Sequence, residues 1–283
     1  MNYDLVLVST CIDDSCISTM INSVIDNNFE ISVFILCLNQ FDSDIEYKPN
    51  SKHTFVETIK VERGSLSSVR NIGLKHIKDL QLSFNHIMFP DDDSVYCNMF
   101  FSRYLSCVEK GKNYVIDVLN LESDGKYRTI NLEDGQVVDI SDYKYVMSVN
   151  MIVSHSDLLK VDGFDPNLGV GTKNGAAEDA DFFVRISQFS SFEYSNKLFN
   201  YHPKNTDKFR TMTSFVIYQK LKTYSRGYMF FLKKHKRMND FLLLMLRTMG
   251  TVVFYFFTLR WKMAFIYLKL FFFRMTLLSA RFN

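Results

Sequence analysis

Residues 86–93 read His86-Ile87-Met88-Phe89-Pro90-Asp91-Asp92-Asp93. A short apolar run that stops at three carboxylates puts concentrated negative charge at the end of a strand. In open α/β sheets the crevice outside the strand ends is where ligands bind. Packed carboxylates repel one another unless a cation or shared protons relieve them. Hard cations of the Mg²⁺ type are held by few carboxylates together with substrate phosphates. Asp91 and Asp93 stand at i and i+2, so in extended backbone their side chains share one face. Alone, the triplet also fits a solvated acidic turn.

The residues on either side supply the frame. Residues 3–9 read as a buried strand, and Asp13, Asp14 and Ser15 cap a helical run from Cys16 to Asn27. Glu30 to Leu38 and His53 to Val61 read as two further strands. Ser65 to Leu80 is helical, with Leu66, Val69, Ile72, Gly73, Ile77 and Leu80 on one face. This alternation predicts an α/β fold with a mainly parallel sheet. Asn98 to Glu109 reads as a helix, and 113–154 as alternating strands with turns at Ser123-Asp124-Gly125 and Glu133-Asp134-Gly135. A glycine-rich loop, 162–177, precedes a helix from Asp179 to Gln188 and a strand from Phe192 to Phe199. No G-x-G-x-x-G follows the first strand and no G-x-x-x-x-G-K-[ST] occurs, which argues against the usual dinucleotide fold and excludes a P-loop.

Composition divides the chain in two. From Lys208 onward there are 15 Lys/Arg and one acid, Asp240, a net +14, so an overall charge of +2 leaves −12 on residues 1–207. The expected organisation is an acidic domain over 1–207 and a basic, aromatic tail over 208–283. Five cysteines, an odd number without metal-ligand spacing, fit a reducing compartment. Met1-Asn2-Tyr3-Asp4 runs directly into the first strand with no signal-peptide pattern, so the expected location is the cytoplasm.

Several segments, in order, resemble the family 2 glycosyltransferases, inverting enzymes of the GT-A fold. Val8-Ser9-Thr10 looks like the family's first donor-binding loop. Gly64 to Gly73, with Arg70-Asn71, looks like its G-x-x-x-x-x-R-N-x-G helix. Asp91-Asp92-Asp93 looks like its D-x-D motif, and Gly163-Phe164-Asp165 to Gly171 followed by Glu178-Asp179 like its G-F-D-x-x-L-G-x-G…E-D segment. His202 stands where many members carry a late metal-binding histidine. The match spans roughly residues 3–205. One departure falls at the second strand's end, where many members hold the nucleobase or ribose with an acidic pair and this chain has Cys37-Leu38-Asn39-Gln40. Asn39 still offers an amide for a base edge or hydroxyl.

The resemblance implies Asp93 as direct ligand of a divalent cation, Mn²⁺ or Mg²⁺, with His202 as a further ligand and Asp91 nearer the ribose. Ser9, Thr10, Asn39, Arg70, Asn71 and Asp92 are the other expected donor contacts. Asp179 is the expected general base, since inverting transfer needs a carboxylate to take the acceptor hydroxyl's proton. Glu178 and Gly171 are expected on the acceptor side. The implied reaction moves one sugar from a nucleoside-diphosphate sugar, expected to be a UDP-sugar, to a polyprenyl-linked glycan in surface-polysaccharide (O-antigen or capsule) synthesis. A nucleotidyltransferase would carry a basic glycine-rich loop after the first strand, and Ser9 to Ser15 has none. A non-catalytic scaffold would lack the base or the metal pair.

In the tail the longest uncharged run, Thr248 to Leu259, has 12 residues, short of the 18 expected of a spanning helix. Lys/Arg recur among Leu, Phe and Tyr, the pattern of helices lying on an anionic membrane surface. The expectation is peripheral attachment to the inner face of the plasma membrane. Core helices packed on the domain or a homodimer interface are the alternatives; so much Leu and Phe argues against nucleic acid.

Overall fold

The computed structural model describes residues 2–123, 125–203 and 212–279. The expected boundary at 207/208 and Asp124 of the first turn lie outside the described residues. The chain opens with β1 (Asn2–Cys11), α1 (Ile17–Asn27), β2 (Val33–Asn39), β3 (Thr54–Lys60), α2 (Leu66–Asp79) and β4 (Ser83–Met88). It continues with α3 (Asn98–Cys107), β5 (Asn113–Asn120), β6 (Val137–Val138), β7 (Met151–Ser154), α4 (His155–Leu158), α5 (Glu178–Ile186) and β8 (Phe192–His202). Three helices follow: α6 (Ser214–Lys234), α7 (Met238–Phe257) and α8 (Trp261–Thr276).

The strands form one sheet in the order β3-β2-β1-β4-β7-β5-β8-β6. The pairs β3/β2, β2/β1, β1/β4 and β5/β8 are parallel; β4/β7, β7/β5 and β8/β6 are antiparallel. Strand β2 is buried along its whole length, as a strand covered on both faces must be. Helix α2 starts where Ser65 accepts a hydrogen bond from the Ser68 backbone N–H. Gly73 lets that helix settle on the sheet: a Cβ there would come within 2.9 Å of Leu38 and 3.0 Å of Val8.

The expected strand run over 113–154 is corrected. Among the described residues of that stretch, 113–120, 137–138 and 151–154 are strands, and 140–145 and 148–150 are 3-10 turns. The reason is edge occupancy. β7 and β8 take both edges of β5, so the intervening residues find no free ladder there except a short pairing on β8.

Contacts divide the chain into two units: 1–164 with 179–204, and 165–178 with 205–283. The glycine-rich loop thus groups with the tail, not with the acidic domain. Within the second unit, Gly175 N–H donates to the Thr223 carbonyl of α6 at 3.2 Å. Gly227 admits the loop against α6, for a Cβ there would lie 2.4 Å from the Ala176 carbonyl oxygen. The loop is braced internally as well: Asn174 Nδ2 donates to the Asn167 carbonyl and Lys234 Nζ pairs with Asp165.

α7 is 20 residues with mean hydropathy 1.5, long and apolar enough by length and composition to cross a membrane. Asp240 and Arg247 interrupt its apolar sequence, so its longest uncharged run stays short of a span.

Candidate active site

In the first unit, parallel pairing brings the carboxyl ends of β1, β2 and β4 to one edge of the sheet. Asp91, Asp92 and Asp93 follow β4 there. His202 ends β8, more than a hundred residues later. A two-residue bridge joins them: Val95 N–H donates to the Tyr201 carbonyl at 2.8 Å, and Tyr201 N–H returns to Val95 at 2.9 Å. His202 Nε2 then lies 2.9 Å from Asp93 Oδ1 and 3.4 Å from Asp91 Oδ2. Ligand atoms of Asp91, Asp93 and His202 all fall within 4.8 Å of one another. Asp92 stands outside this group; the triplet is not extended but turns, with Ser94 N–H donating to the Asp91 carbonyl at 3.1 Å.

The three residues fit a hard divalent cation. In an octahedron with bonds of about 2.0–2.1 Å, neighbouring ligand atoms sit about 3 Å apart. His202 Nδ1 is 2.9 Å from the Pro203 carbonyl and donates to it, which turns the Nε2 lone pair toward the two carboxylates. A lone pair facing carboxylates is repulsive without positive charge between them. Without a cation a proton plays that part. Burial opposes charging of the imidazole, but Asp91 and Asp93 outweigh it and raise its pKa to about 10. Burial, then the charges of Asp93, Asp91 and Asp13, raise Asp92 to about 6.

Asp179 belongs to the same cluster through Arg70. The Arg70 side chain is 1% exposed and lies over the rings of Phe164 and Phe89 at 5.2 and 5.9 Å. Its Nη1 donates to Asp179 at 3.2 Å, while Nη2 donates to Asp91 at 3.4 Å and to Ser148 Oγ at 2.8 Å. The planar guanidinium therefore spans the candidate base and the acidic triplet, a task suited to its fixed fork. Burial raises the Asp179 pKa against the opposing pull of Arg70, and Asp91 adds to the rise. The Asp179 side chain keeps 23% of its surface open, enough to meet a ligand.

Other expected residues take supporting places. Asn71 donates to the Phe164 carbonyl and accepts from its N–H, pinning Phe164 under Arg70. Gly163 has φ +57°, and a Cβ there would lie 2.4 Å from Asn71 Oδ1. Asn39 is buried, its amide donating to the Ser43 carbonyl and accepting from Phe41 N–H, which shapes the loop after β2. Ser9 is buried, with no hydrogen-bond partner for its hydroxyl among the described residues; Thr10 is partly open. Glu178 and Gly171 belong to the second unit, where Glu178 is buried and Gly171 is exposed at φ +92°. Ala177, just before α5, is held at φ +73°, a conformation a non-glycine residue adopts at a cost of about 1–2 kcal/mol.

Two features escaped the sequence reading. Phe89, Phe164 and Phe182 pack into an aromatic box: the rings of Phe89 and Phe164 lie against Arg70, while Phe182 stacks on Phe164 at 4.4 Å and carries Arg185. The Tyr127 ring meets His202 edge-on at 5.1 Å, and Tyr127 N–H donates to the Val118 carbonyl, folding this segment over the end of β5. Arg128 follows, donating to the Lys144 carbonyl and lying in the field of Asp179. Three phenylalanines in separate segments and a Tyr-Arg pair in a loop leave no mark in a single sequence.

No family model matches this chain, and no curated protein matches it. Solved structures do. TarS of S. aureus, residues 1–349, superposes with a TM-score of 0.53 at 14% identity, covering 84% of this chain and 74% of that one. TarS 1–349 in complex with UDP-GlcNAc gives 0.53 at 15% identity (79% and 66% covered), and with UDP 0.54 at 13% (79% and 65%). Of another TarS structure the chain spans 39%. At these identities the likeness shows the fold, and that fold is of the GT-A type.

Proposed function

We propose that this chain is an inverting, cation-assisted glycosyltransferase that moves one sugar from a UDP-sugar to a hydroxyl of a growing, lipid-linked glycan in surface-polysaccharide synthesis. The observation that carries the reading is the linkage of Asp179, through Arg70, to the Asp91-Asp93-His202 cluster at the strand ends. The TarS complexes with UDP and UDP-GlcNAc support a uridine donor on the same fold. The basic tail supports residence on an anionic membrane face, where a polyprenyl-linked acceptor would be met.

In this reading Asp91, Asp93 and His202 hold the cation, which when bound neutralises the diphosphate and stabilises the departing nucleotide. Asp179 takes the proton from the acceptor hydroxyl as its oxygen attacks the anomeric carbon. Its raised pKa brings its basicity closer to neutral, where a base transfers protons most effectively. Arg70 fixes the direction of that carboxylate, and Asn71 with Gly163 fixes the ring under Arg70. Glu178 and Gly171 serve the acceptor side.

UDP with Mn²⁺ is expected to stabilise the protein by about 2.7 kcal/mol at a hundredfold excess over Kd. That is a rise of roughly 5 °C or more in Tm, absent with EDTA and absent in Asp93→Ala. A well-folded protein that no nucleoside diphosphate stabilises would sink the proposal.

Cation binding is also expected to release about one proton at neutral pH, because His202 with a pKa of about 10 is charged in the free protein and must be neutral as a ligand. Apparent cation affinity therefore rises as pH rises, by up to about tenfold per unit until His202 deprotonates unaided. In the cation-free protein the sign for stability is opposite. The His202 ion contacts stabilise fully below the ordinary value of 6.5 and are lost as pH rises through about 10. Calorimetry in two buffers of different ionisation enthalpy measures the proton count, and a count of zero contradicts His202 as a ligand.

A further inference from the structure

Helices α7 and α8 are joined by only Thr258, Leu259 and Arg260, with Leu259 at φ +56° making the reversal. They run antiparallel: Tyr255 faces Tyr267 with ring centres 5.6 Å apart, and Thr248 accepts from Arg274. Arg274 Nε also donates to Ser225 of α6 at 2.9 Å, and Lys233 Nζ donates to the Leu277 and Leu278 carbonyls at 2.9 Å each. The root of the hairpin is therefore tied down by polar contacts. Its turn is apolar and open. Phe257 is 78% exposed, Leu259 72% and Trp261 45%, with Trp261 packed edge-on against Phe256 at 4.7 Å.

The open surface extends back from the turn. On α7 Leu242, Leu246, Met249, Val253 and Phe256 are all exposed at three- and four-residue spacing, one stripe of the helix. On α8 Phe265, Phe272 and Met275 are exposed. The cations Arg247, Arg260, Lys262 and Lys269 are exposed on the same two helices and turn. The tail's one acid, Asp240, is paired with Arg237 at 2.8 Å. An apolar surface of this extent does not stay in water on a monomer, and its charge selects the occupant. A second copy would bring a +14 tail against a +14 tail. An anionic lipid surface accepts both the apolar side chains and the cations.

We infer that the α7–α8 hairpin docks on an anionic bilayer, with Phe256, Phe257, Leu259 and Trp261 immersed at the depth of the headgroups and upper acyl chains. The inference rests on the membrane-facing part of the proposed function and names the segment that enters the lipid. It is an interfacial seat, not a crossing. A helix of 20 residues spans about 30 Å, the thickness of the hydrocarbon. Stood upright, α7 would bury the exposed Arg247 near the bilayer centre, and the reversal would carry Arg260 and Lys262 through it. Laid at the surface, all four cations reach headgroups.

Trp261 is the chain's only tryptophan, so emission excited at the red edge, where the 15 tyrosines barely absorb, reports this turn. The full chain would be titrated with vesicles of phosphatidylcholine and with vesicles containing phosphatidylglycerol. The expected result is binding to the anionic vesicles, a shift of emission to shorter wavelength, and stronger quenching by lipids brominated near the headgroup than near the chain end. Phe257→Ser with Leu259→Ser, both at open positions, should keep the fold and lose the shift. Each neutralised cation, Arg260→Gln or Lys262→Gln, should weaken partitioning roughly fivefold. Binding to anionic vesicles without a change in Trp261 would overturn the inference and leave the membrane reading standing. No binding to either vesicle would overturn both. Trp261 shielded in a lipid-free dimer would assign the surface to a second copy and overturn the inference. Donor stabilisation by UDP is a separate readout, so none of these outcomes bears on the transfer chemistry.

Discussion

Asp179→Asn is expected to lower the rate of sugar transfer about 10²- to 10⁴-fold, the usual contribution of a positioned acid–base group. Donor binding should change little, because the cation ligands and the strand ends that face the donor are untouched. The amide keeps the shape of the carboxylate and can still accept from Arg70, but it cannot take the acceptor proton. In the intact protein the rate should rise with pH through the Asp179 pKa, which lies above the ordinary carboxylate range because of burial, and then level off. In Asp179→Asn that limb should vanish. Single-turnover transfer with UDP-sugar and acceptor, alongside a UDP binding isotherm, separates the two quantities. Transfer within tenfold of the parent would remove Asp179 as the base; loss of UDP binding would make it a structural part of the donor site.

Arg70→Met should be the most destabilising single change at the site. It leaves Asp179 and Asp91 without their shared cation and Ser148 Oγ without its donor. Removing one partner of a buried ion pair costs about 3–5 kcal/mol. The expected value here is the lower end, about 3 kcal/mol, since Asp91 keeps 42% of its side-chain surface and can be relieved by water. Arg70→Lys should recover only part, because an ammonium cannot reach both carboxylates as a fork does. Transfer should fall along with stability, as Asp179 loses the group that aims it. Coupling the substitution to Asp179→Asn in a double-mutant cycle isolates the pair, with an interaction of about 0.5–3 kcal/mol expected by denaturant unfolding. An Arg70→Met protein as stable as the parent would show that the aromatic box, not the ion pairs, holds this region.

The sheet-forming segments were legible because each carries its own signal. β1 and β2 are continuous apolar runs, and α2 is framed by Ser65 and an apolar face. The helix bounds read from periodicity fall within about two residues of those observed. The acidic triplet was legible for the same reason, as a local interruption of apolar sequence, though it sits in a turn and not in extended backbone. At Asn39 a short amide at a strand end suits a ligand and a turn equally, and only tertiary structure places Phe41 and Ser43 within its reach. Among the described residues of 113–154 the expected strands shrink to three short ones because alternation records which residues would suit a strand. It does not record whether a partner edge is free.

The order of local elements, the acidic strand end, the Arg70-Asn71 helix and the charge division between domain and tail were determined by sequence, since short-range periodicity, capping and composition act over a few residues. Tertiary structure decided what those pieces do to one another. The Val95–Tyr201 bridge sets His202 beside Asp93, and the aromatic box turns Arg70 inward to join Asp179 with Asp91. Packing of Gly227 against 174–176 gives the glycine-rich loop to the tail's first helix. Each of these contacts joins segments far apart along the chain. Their geometry comes from sheet order and close packing, which no local pattern encodes.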